Sequence, residues 1–269
     1  MSKPNGPAQL AQHVDHWETR MGAFFLGERA VFRGKDLHTT FADAEWLDLY
    51  VFSILGRRLS APQIKLLNAI WVYTSYPDPR LWNNRVVALG GTARSTAALS
   101  LSAALAVSEA TIYGRRPDIK TMDFLRRARV QVEAGADLGA FLQDELRRHR
   151  TLGGYGRPVV GTDERLPHLL GRAEQLGIER GPYVQLAFEI ERVLMVGRWR
   201  LRMNYAALAA AFCADMGFTP QEFYLFGFPA FLAGMLPCYL AAQEQAEGVF
   251  LPLPCDRIAY QGAPRRRWD

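Results

Sequence analysis

The chain has 269 residues, 49% of them hydrophobic, and a formal net charge of +5, with a pI near 9.2 and a mean hydropathy of −0.09. These values describe an ordinary globular protein with enough apolar material for one large core or two lobes. The 32 basic residues are scattered among 27 acids with no basic stripe outside the tail Arg265-Arg266-Arg267, so no nucleic-acid partner is expected; surplus arginine suits small anions instead, because guanidinium grips carboxylate and phosphate with two prongs.

The N-terminus, MSKPNGPAQLAQHVDHW, lacks the apolar core of a secretory signal. From there on, strand signals are nearly absent and helical periodicity recurs. Helices are predicted over residues 42–55, 62–73, 86–112, 122–134, 138–149, 164–176, 182–195, 203–216 and 229–245. Ser60-Ala-Pro62, Thr162-Asp163 and Thr219-Pro220 supply start signals, each a cap residue ahead of proline or an acid. The fold class is all-α.

The predicted helix in VVALGGTARSTAALSLSAALAVSEATIYG is almost wholly Ala, Ser, Gly and Thr. Small side chains let a partner backbone approach closely, which places it at the centre of the molecule or of a dimer. The clearest irregular stretch runs from about Arg147 to Arg157 and leads into GGYGRPVVGTDER, residues 153–165. Its glycines offer flexible backbone and exposed amides suited to an anionic ligand. Arg157 within it can hold a charge but is a poor proton carrier.

Late in the chain FYLFGFPAFLAGMLPCYLAAQ, between Glu222 and Glu244, carries no charge and is long enough to cross a bilayer. Pro229 and Pro237 interrupt it and no Lys or Arg flanks it closely. It is therefore read as core or subunit interface, without membrane attachment.

Cys213, Cys238 and Cys255 are far apart and odd in number, which gives neither a disulfide framework nor metal-ligand spacing and fits a reduced, cytoplasmic compartment. The phosphate-loop, dinucleotide, zinc-protease and serine-hydrolase motifs are missing. The five histidines read as surface or capping residues, and no metal site is expected.

One ordered set of segments remains: RGKDL (33–37), SYPDPRLWNNRVVA (75–88), ATIYGRRPD (110–118), GGYGRPVVGTDER, RMNYAALAAAFCADMGF (202–218) and IAYQG (258–262). Taken in order, with their gaps, they resemble the citrate synthase superfamily, citrate synthase and citryl-CoA lyase included, from about Phe32 to Trp268. The resemblance implies a large helical domain, residues 1–114 and 216–269, with an inserted small helical domain, residues 115–215. It further implies a homodimer, a coenzyme A thioester held mainly on the small domain as substrate with no covalently bound cofactor, and a carboxylate in the cleft.

The resemblance also marks departures. Where the family has a histidine in its HGG turn, a histidine in its GxGHR loop and an aspartate in its NVDF segment, this chain has Tyr113, Arg157 and Asn204; Gly161 and Ala230 stand where the family's oxaloacetate arginines are. Asparagine cannot remove the α-proton of a thioester, and arginine holds an oxyanion without exchanging protons, so ordinary citrate synthesis is not expected. Two functions follow. The first is a carbon–carbon bond-forming or bond-cleaving CoA-thioester enzyme acting on an unusual carboxylate. Its catalytic set would be Tyr113, Arg157 and Asn204, its substrate arginines Arg115, Arg116, Arg165 and Arg202, and its CoA-facing turn Gly154, Tyr155 and Gly156. The second is an inactive relative that binds acyl-CoA or carboxylate, or partners another subunit.

Overall fold

The computed structural model describes residues 6–111, 114–157, 161–250 and 252–263. By its contacts the chain divides into two compact units, Met1–Ile64 and Lys65–Asp269.

The first unit contains α1 (Gly6–Ala11), an antiparallel sheet of β1 (Gly22–Phe25), β2 (Arg29–Phe32) and β3 (Lys35–Asp36), then α2 (Leu37–Thr40) and α3 (Trp46–Leu55). The sheet departs from the purely helical expectation. Its strands have at most four residues, with Gly22 opposite Phe32 and Phe25 opposite Arg29, too short for a two-residue period to stand out. Phe32, Phe41 and Phe52 meet at centroid distances of 5.0–6.2 Å and form an aromatic core with Leu47 and Val51. RGKDL is scaffolding here. Arg33 donates from Nε to Ser53 O at 2.8 Å and from Nη2 to Ile54 O at 3.2 Å, satisfying the C-terminal carbonyls of α3. Asp36 caps α2 by accepting from the amides of His38 and Thr39.

The second unit takes in most of α4 (Ala61–Thr74) and then α5 (Trp82–Thr92), α6 (Ala97–Val107), α7 (Arg115–Glu133), α8 (Leu138–His149), α9 (Arg165–Gln175), α10 (Pro182–Val196), α11 (Tyr205–Asp215), α12 (Pro220–Gly227) and α13 (Leu232–Gln243). The all-α class stands, and most helices lie within a few residues of their expected bounds.

The small-residue segment is two packed helices instead of one. The chain turns between α5 and α6, where Arg94 adopts a left-handed φ of 59°. Its guanidinium donates to Gln243 O at 2.9 Å and Gln245 O at 2.6 Å, tying the corner to the end of α13. The small residues are what let these helices approach. A β-carbon on Gly90 would lie 2.1 Å from Ser100 Oγ on α6, and one on Gly91 would lie 2.6 Å from Tyr239 O on α13. Val87, Ala88, Ala104, Met235, Cys238, Tyr239 and Ala242 fill the core between them.

The uncharged late stretch is α12, a 3-10 turn over Phe228–Phe231, and α13. By length and composition Pro220–Gln243 is able to cross a membrane. Phe223, Phe226, Ala230, Met235, Cys238 and Ala242 are buried, with α12 packed on α7 and α13 on α5, so the stretch supplies core.

A second layer is built from α7, α8, α10 and α11. Met122, Leu125, Leu142, Ile190, Leu194, Leu208 and Phe212 are buried there. Asp215, at the end of α11, caps α10 from 31–32 residues away, accepting from the Tyr183 amide at 2.8 Å and the Val184 amide at 3.1 Å.

Candidate functional site

Within the second unit a cleft of about 320 Å³ lies among the C-terminal end of α4, the starts of α7, α9 and α11, and α12. Ile70, Trp71, Phe223, Phe226 and Phe231 give it apolar walls, and its polar residues include Arg115, Arg157, Arg165, Asp118, Asp163 and Asn204. Of the residues marked from the sequence, Arg115, Arg157, Arg165, Asn204 and Gly156 line this cleft. Arg116 and Arg202 are exposed and do not line the cleft; each neighbours an inward-facing residue, and successive positions at a helix start or in extended chain point different ways. Tyr113 lies outside the described residues.

The loop at residues 152–157 is fixed by backbone contacts. Leu152 pairs with Tyr155 and Tyr155 with Met203, the Gly156 amide donates to Arg202 O at 2.7 Å, and the Asn204 amide donates to Gly154 O at 2.9 Å. A β-carbon on Gly153 would come within 2.8 Å of the Thr121 backbone on α7, and one on Gly154 within 2.5 Å of Ala207 on α11. The GGYG glycines therefore allow the loop to sink between two helices. This corrects the expectation of free amides: those of Tyr155 and Gly156 are engaged internally. Tyr155 is a buried peg whose hydroxyl donates to Ala187 O at 2.8 Å, and burial pushes its phenol well above the usual range.

Asn204 caps α11. Its Oδ1 accepts from the Ala206 amide at 3.0 Å and its Nδ2 donates to Gly156 O at 2.9 Å, so this one side chain starts the helix and anchors the loop carrying Arg157. Arg157 Nη1 then donates to Glu164 Oε2 at 2.9 Å, while the Tyr76 hydroxyl donates to Glu164 Oε1 at 2.9 Å. The Arg157 hydrogen bond is the main reason the Glu164 carboxyl is held down at about 2.

Beside them Asp163, fully buried, receives Arg165 in bidentate fashion, Nε and Nη2 each at 2.8 Å, and the Tyr205 amide at 2.9 Å. The Arg165 guanidinium lies over the Tyr205 ring at 4.4 Å and the Tyr76 ring at 5.5 Å. Burial opposes ionisation of Asp163, but Arg165 and the backbone donors hold its carboxyl below the usual range.

On the other side of the cleft, α7 opens with Arg115 and Asp118, three residues apart and therefore on one face. They form an ion pair with side chains 9% and 10% exposed. The Arg115 guanidinium packs 4.9 Å from the Phe231 ring centroid. It passes Gly227 so closely that a β-carbon there would lie 1.4 Å from Nη1. Among the described residues Arg115 Nε has no hydrogen-bond partner, and Asp118 Oδ2 meets Arg115 Nη2 as an ion pair without hydrogen-bond geometry. Burial pushes the Asp118 carboxyl above its usual value, against the attraction of Arg115 and Arg165.

Asp118, Asp163 and Tyr76 are not among the residues that the sequence marks for a site; Asp163 is marked there only as a helix start. The available signal was the spacing Arg-x-x-Asp at a helix start and Asp-x-Arg just before α9; neither says that the groups are buried together.

The fold is similar to that of citryl-CoA lyase from Hydrogenobacter thermophilus, with a TM-score of 0.81 and 16% identity, over 94% of this chain and 97% of that one. It is also similar to ATP citrate lyase of Methanosaeta concilii, solved with (3S)-citryl-CoA, with a TM-score of 0.73 and 14% identity, over 97% of this chain and 45% of that one. Citrate synthase from Thermoplasma acidophilum, solved with carboxymethyl coenzyme A and oxaloacetate, gives a TM-score of 0.65 at 16% identity, over 84% of this chain and 59% of that one. No protein-family model and no curated protein sequence matches the chain.

Proposed function

From the citrate synthase superfamily fold, we propose that this chain is a CoA-thioester enzyme that forms or cleaves a carbon–carbon bond, on a carboxylate other than the family's usual one. The observation that carries the reading is the cleft itself: arginines 115, 157 and 165 converge on an apolar-walled space with two aspartates. Charged groups gathered against apolar walls act more strongly than in water, and enolate chemistry needs such an environment.

In this reading Arg157 anchors the substrate carboxylate, exchanging its contact with Glu164 for one with the ligand. Asn204 keeps the loop and Arg157 in register, and Arg165 stiffens that wall through Asp163. Residues 115–215 form the CoA-binding lobe, and the role kept for Tyr113 is to stabilise the thioester enolate. The working molecule is a homodimer in the cytoplasm, without nucleic acid or membrane partners.

A second reading has its own observation. Each cleft arginine already has an acid, Arg115 with Asp118, Arg157 with Glu164 and Arg165 with Asp163, as expected of a site that binds weakly or only supports a partner subunit.

Thermal unfolding with CoA, acetyl-CoA, malonyl-CoA and di- and tricarboxylates, followed by mass analysis of any hit, separates the two. A ligand at 100 times its Kd adds about 2.7 kcal/mol of stability. A stabilising acyl-CoA converted to product supports the enzyme, whereas stabilisation without product supports the binding protein.

A further inference from the structure

Enolate chemistry needs a group that takes and returns a proton, and Asn204 cannot be that group. The cleft is lined by two carboxyl groups, Asp163 and Asp118. Asp163 is an unsuitable carrier because both its oxygens are engaged, Oδ1 by Arg165 Nε at 2.8 Å and Oδ2 by Arg165 Nη2 at 2.8 Å and the Tyr205 amide at 2.9 Å. A protonated Asp163 would break those bonds and the start of α11 with them.

Asp118 has the opposite surroundings. Among the described residues its one ion-pair partner is Arg115, whose Nη2 lies against Oδ2 without hydrogen-bond geometry. The pair is rigid, since Arg115 is wedged between Gly227 and Phe231. The ionisable groups acting on Asp118 are Arg115 of its own helix, Arg165 at the start of α9 and Glu109 ahead of α7, with Cys213 of α11 also near.

Resting on the enzymatic reading above, we infer that Asp118 is the proton carrier of the cleft, replacing a base that the start of α11 does not provide, in cleavage of a 3-hydroxyacyl-CoA of the kind that reading already implies. In cleavage the Asp118 carboxylate accepts the 3-hydroxyl proton. The electron pair of that O–H bond becomes the carbonyl π bond, and the bond between carbons 2 and 3 breaks with its pair passing into the thioester enolate. Protonated Asp118 then returns the proton to carbon 2. The products are a carbonyl compound and a shortened acyl-CoA; one carboxyl serves both steps and no co-reactant is consumed. Synthesis is the reverse. Burial that favours the neutral acid eases acceptance of the proton, and Arg115 keeps the ionised form accessible.

The test measures cleavage of (3S)-citryl-CoA and malyl-CoA, and uptake of deuterium from D2O into the methyl group of acetyl-CoA. The variants are Asp118→Asn and, so that no unpaired charge is left buried, the double variant Arg115→Gln with Asp118→Asn. Both are expected to lose on the order of 10²–10⁴-fold in rate while acetyl-CoA still binds, read by calorimetry. A variant that folds and keeps its rate within tenfold of wild type overturns the assignment. If both variants unfold, the wild-type pH profile decides. One controlling ionisation above the ordinary carboxylate range supports Asp118, and a rate independent of pH from about 4 to 9 overturns it, since a carboxyl held above the unperturbed value of ~3.9 would titrate within that range. A wild-type chain that neither cleaves nor exchanges removes the enzymatic reading and Asp118 with it. Turnover by wild type that survives in the variants removes Asp118 alone.

Discussion

Arg157 sits at the cleft with a partner in hand, and its character follows from that contact. Arg157→Ala removes a guanidinium that the proposed reaction needs for its carboxylate, so turnover is expected to fall by more than about 100-fold while acyl-CoA binding stays measurable. Steady-state kinetics beside direct binding checks this, and unchanged turnover removes Arg157 from the mechanism. Its partner Glu164 has a depressed carboxyl, about 2 against an unperturbed value near ~4.3. The sign follows: the pair's contribution is complete above the unfolded-state value and disappears as pH falls through about 2. Because the Glu164 side chain is 57% exposed, that contribution is below about 1 kcal/mol. An NMR titration of Glu164 with a midpoint near the ordinary value would contradict the geometry. Tyr155→Phe removes one hydroxyl and leaves Ala187 O buried without that donor, a cost of about 1–3 kcal/mol, readable in a denaturant midpoint.

At the scale of elements, the starts of helices do most of the positioning. Asn204 begins α11 and binds the loop; Asp163 reaches from the start of α9 to the first amide of α11; Asp215 begins α10 from the far end of α11. The expected bounds of these helices were close, because an apolar period and a cap residue are local properties. Which cap serves a distant helix was hidden: the Asp215–Tyr183 bond spans 32 residues, and a sequence window has no view of it. Asp215→Ala is expected to destabilise by about 1–2 kcal/mol, with the loss of amide protection at Tyr183 and Val184 as its hydrogen-exchange signature. Gly154→Ala should cost more, about 2–4 kcal/mol, since it adds a left-handed residue with φ 82° to a contact with no room. The α5–α6 corner escaped the helical pattern because Ala, Ser and Thr continue through it. Its markers, Gly90-Gly91 and the Ser95-Thr96 cap, are readable only once the Arg94 turn is seen.

For the whole molecule, the outward face of α6 carries Ala98, Leu99, Ser102, Ala103 and Ala106 exposed, with Leu99 66% exposed. The homodimer proposed above would use such a face, because small residues let two backbones come close. Light scattering is expected to show a dimer. Leu99→Arg, at a site where burial cannot penalise folding in a single chain, should shift it to monomer with the secondary structure intact; a wild-type monomer at micromolar concentration would refute the assembly. The sequence by itself determined the helical class, most helix positions and the order of segments that resembles one superfamily. Periodicity, caps and motif order are written along the chain, where neighbouring residues decide them. Only the tertiary structure decided that Arg115 and Asp118 face Arg157 and Arg165 across one cleft, that Arg116 and Arg202 face away, and that GGYG is a packed wedge with its amides engaged. Burial and pairing arise between segments far apart in the chain, and they decide whether a charged side chain holds the fold or meets a ligand.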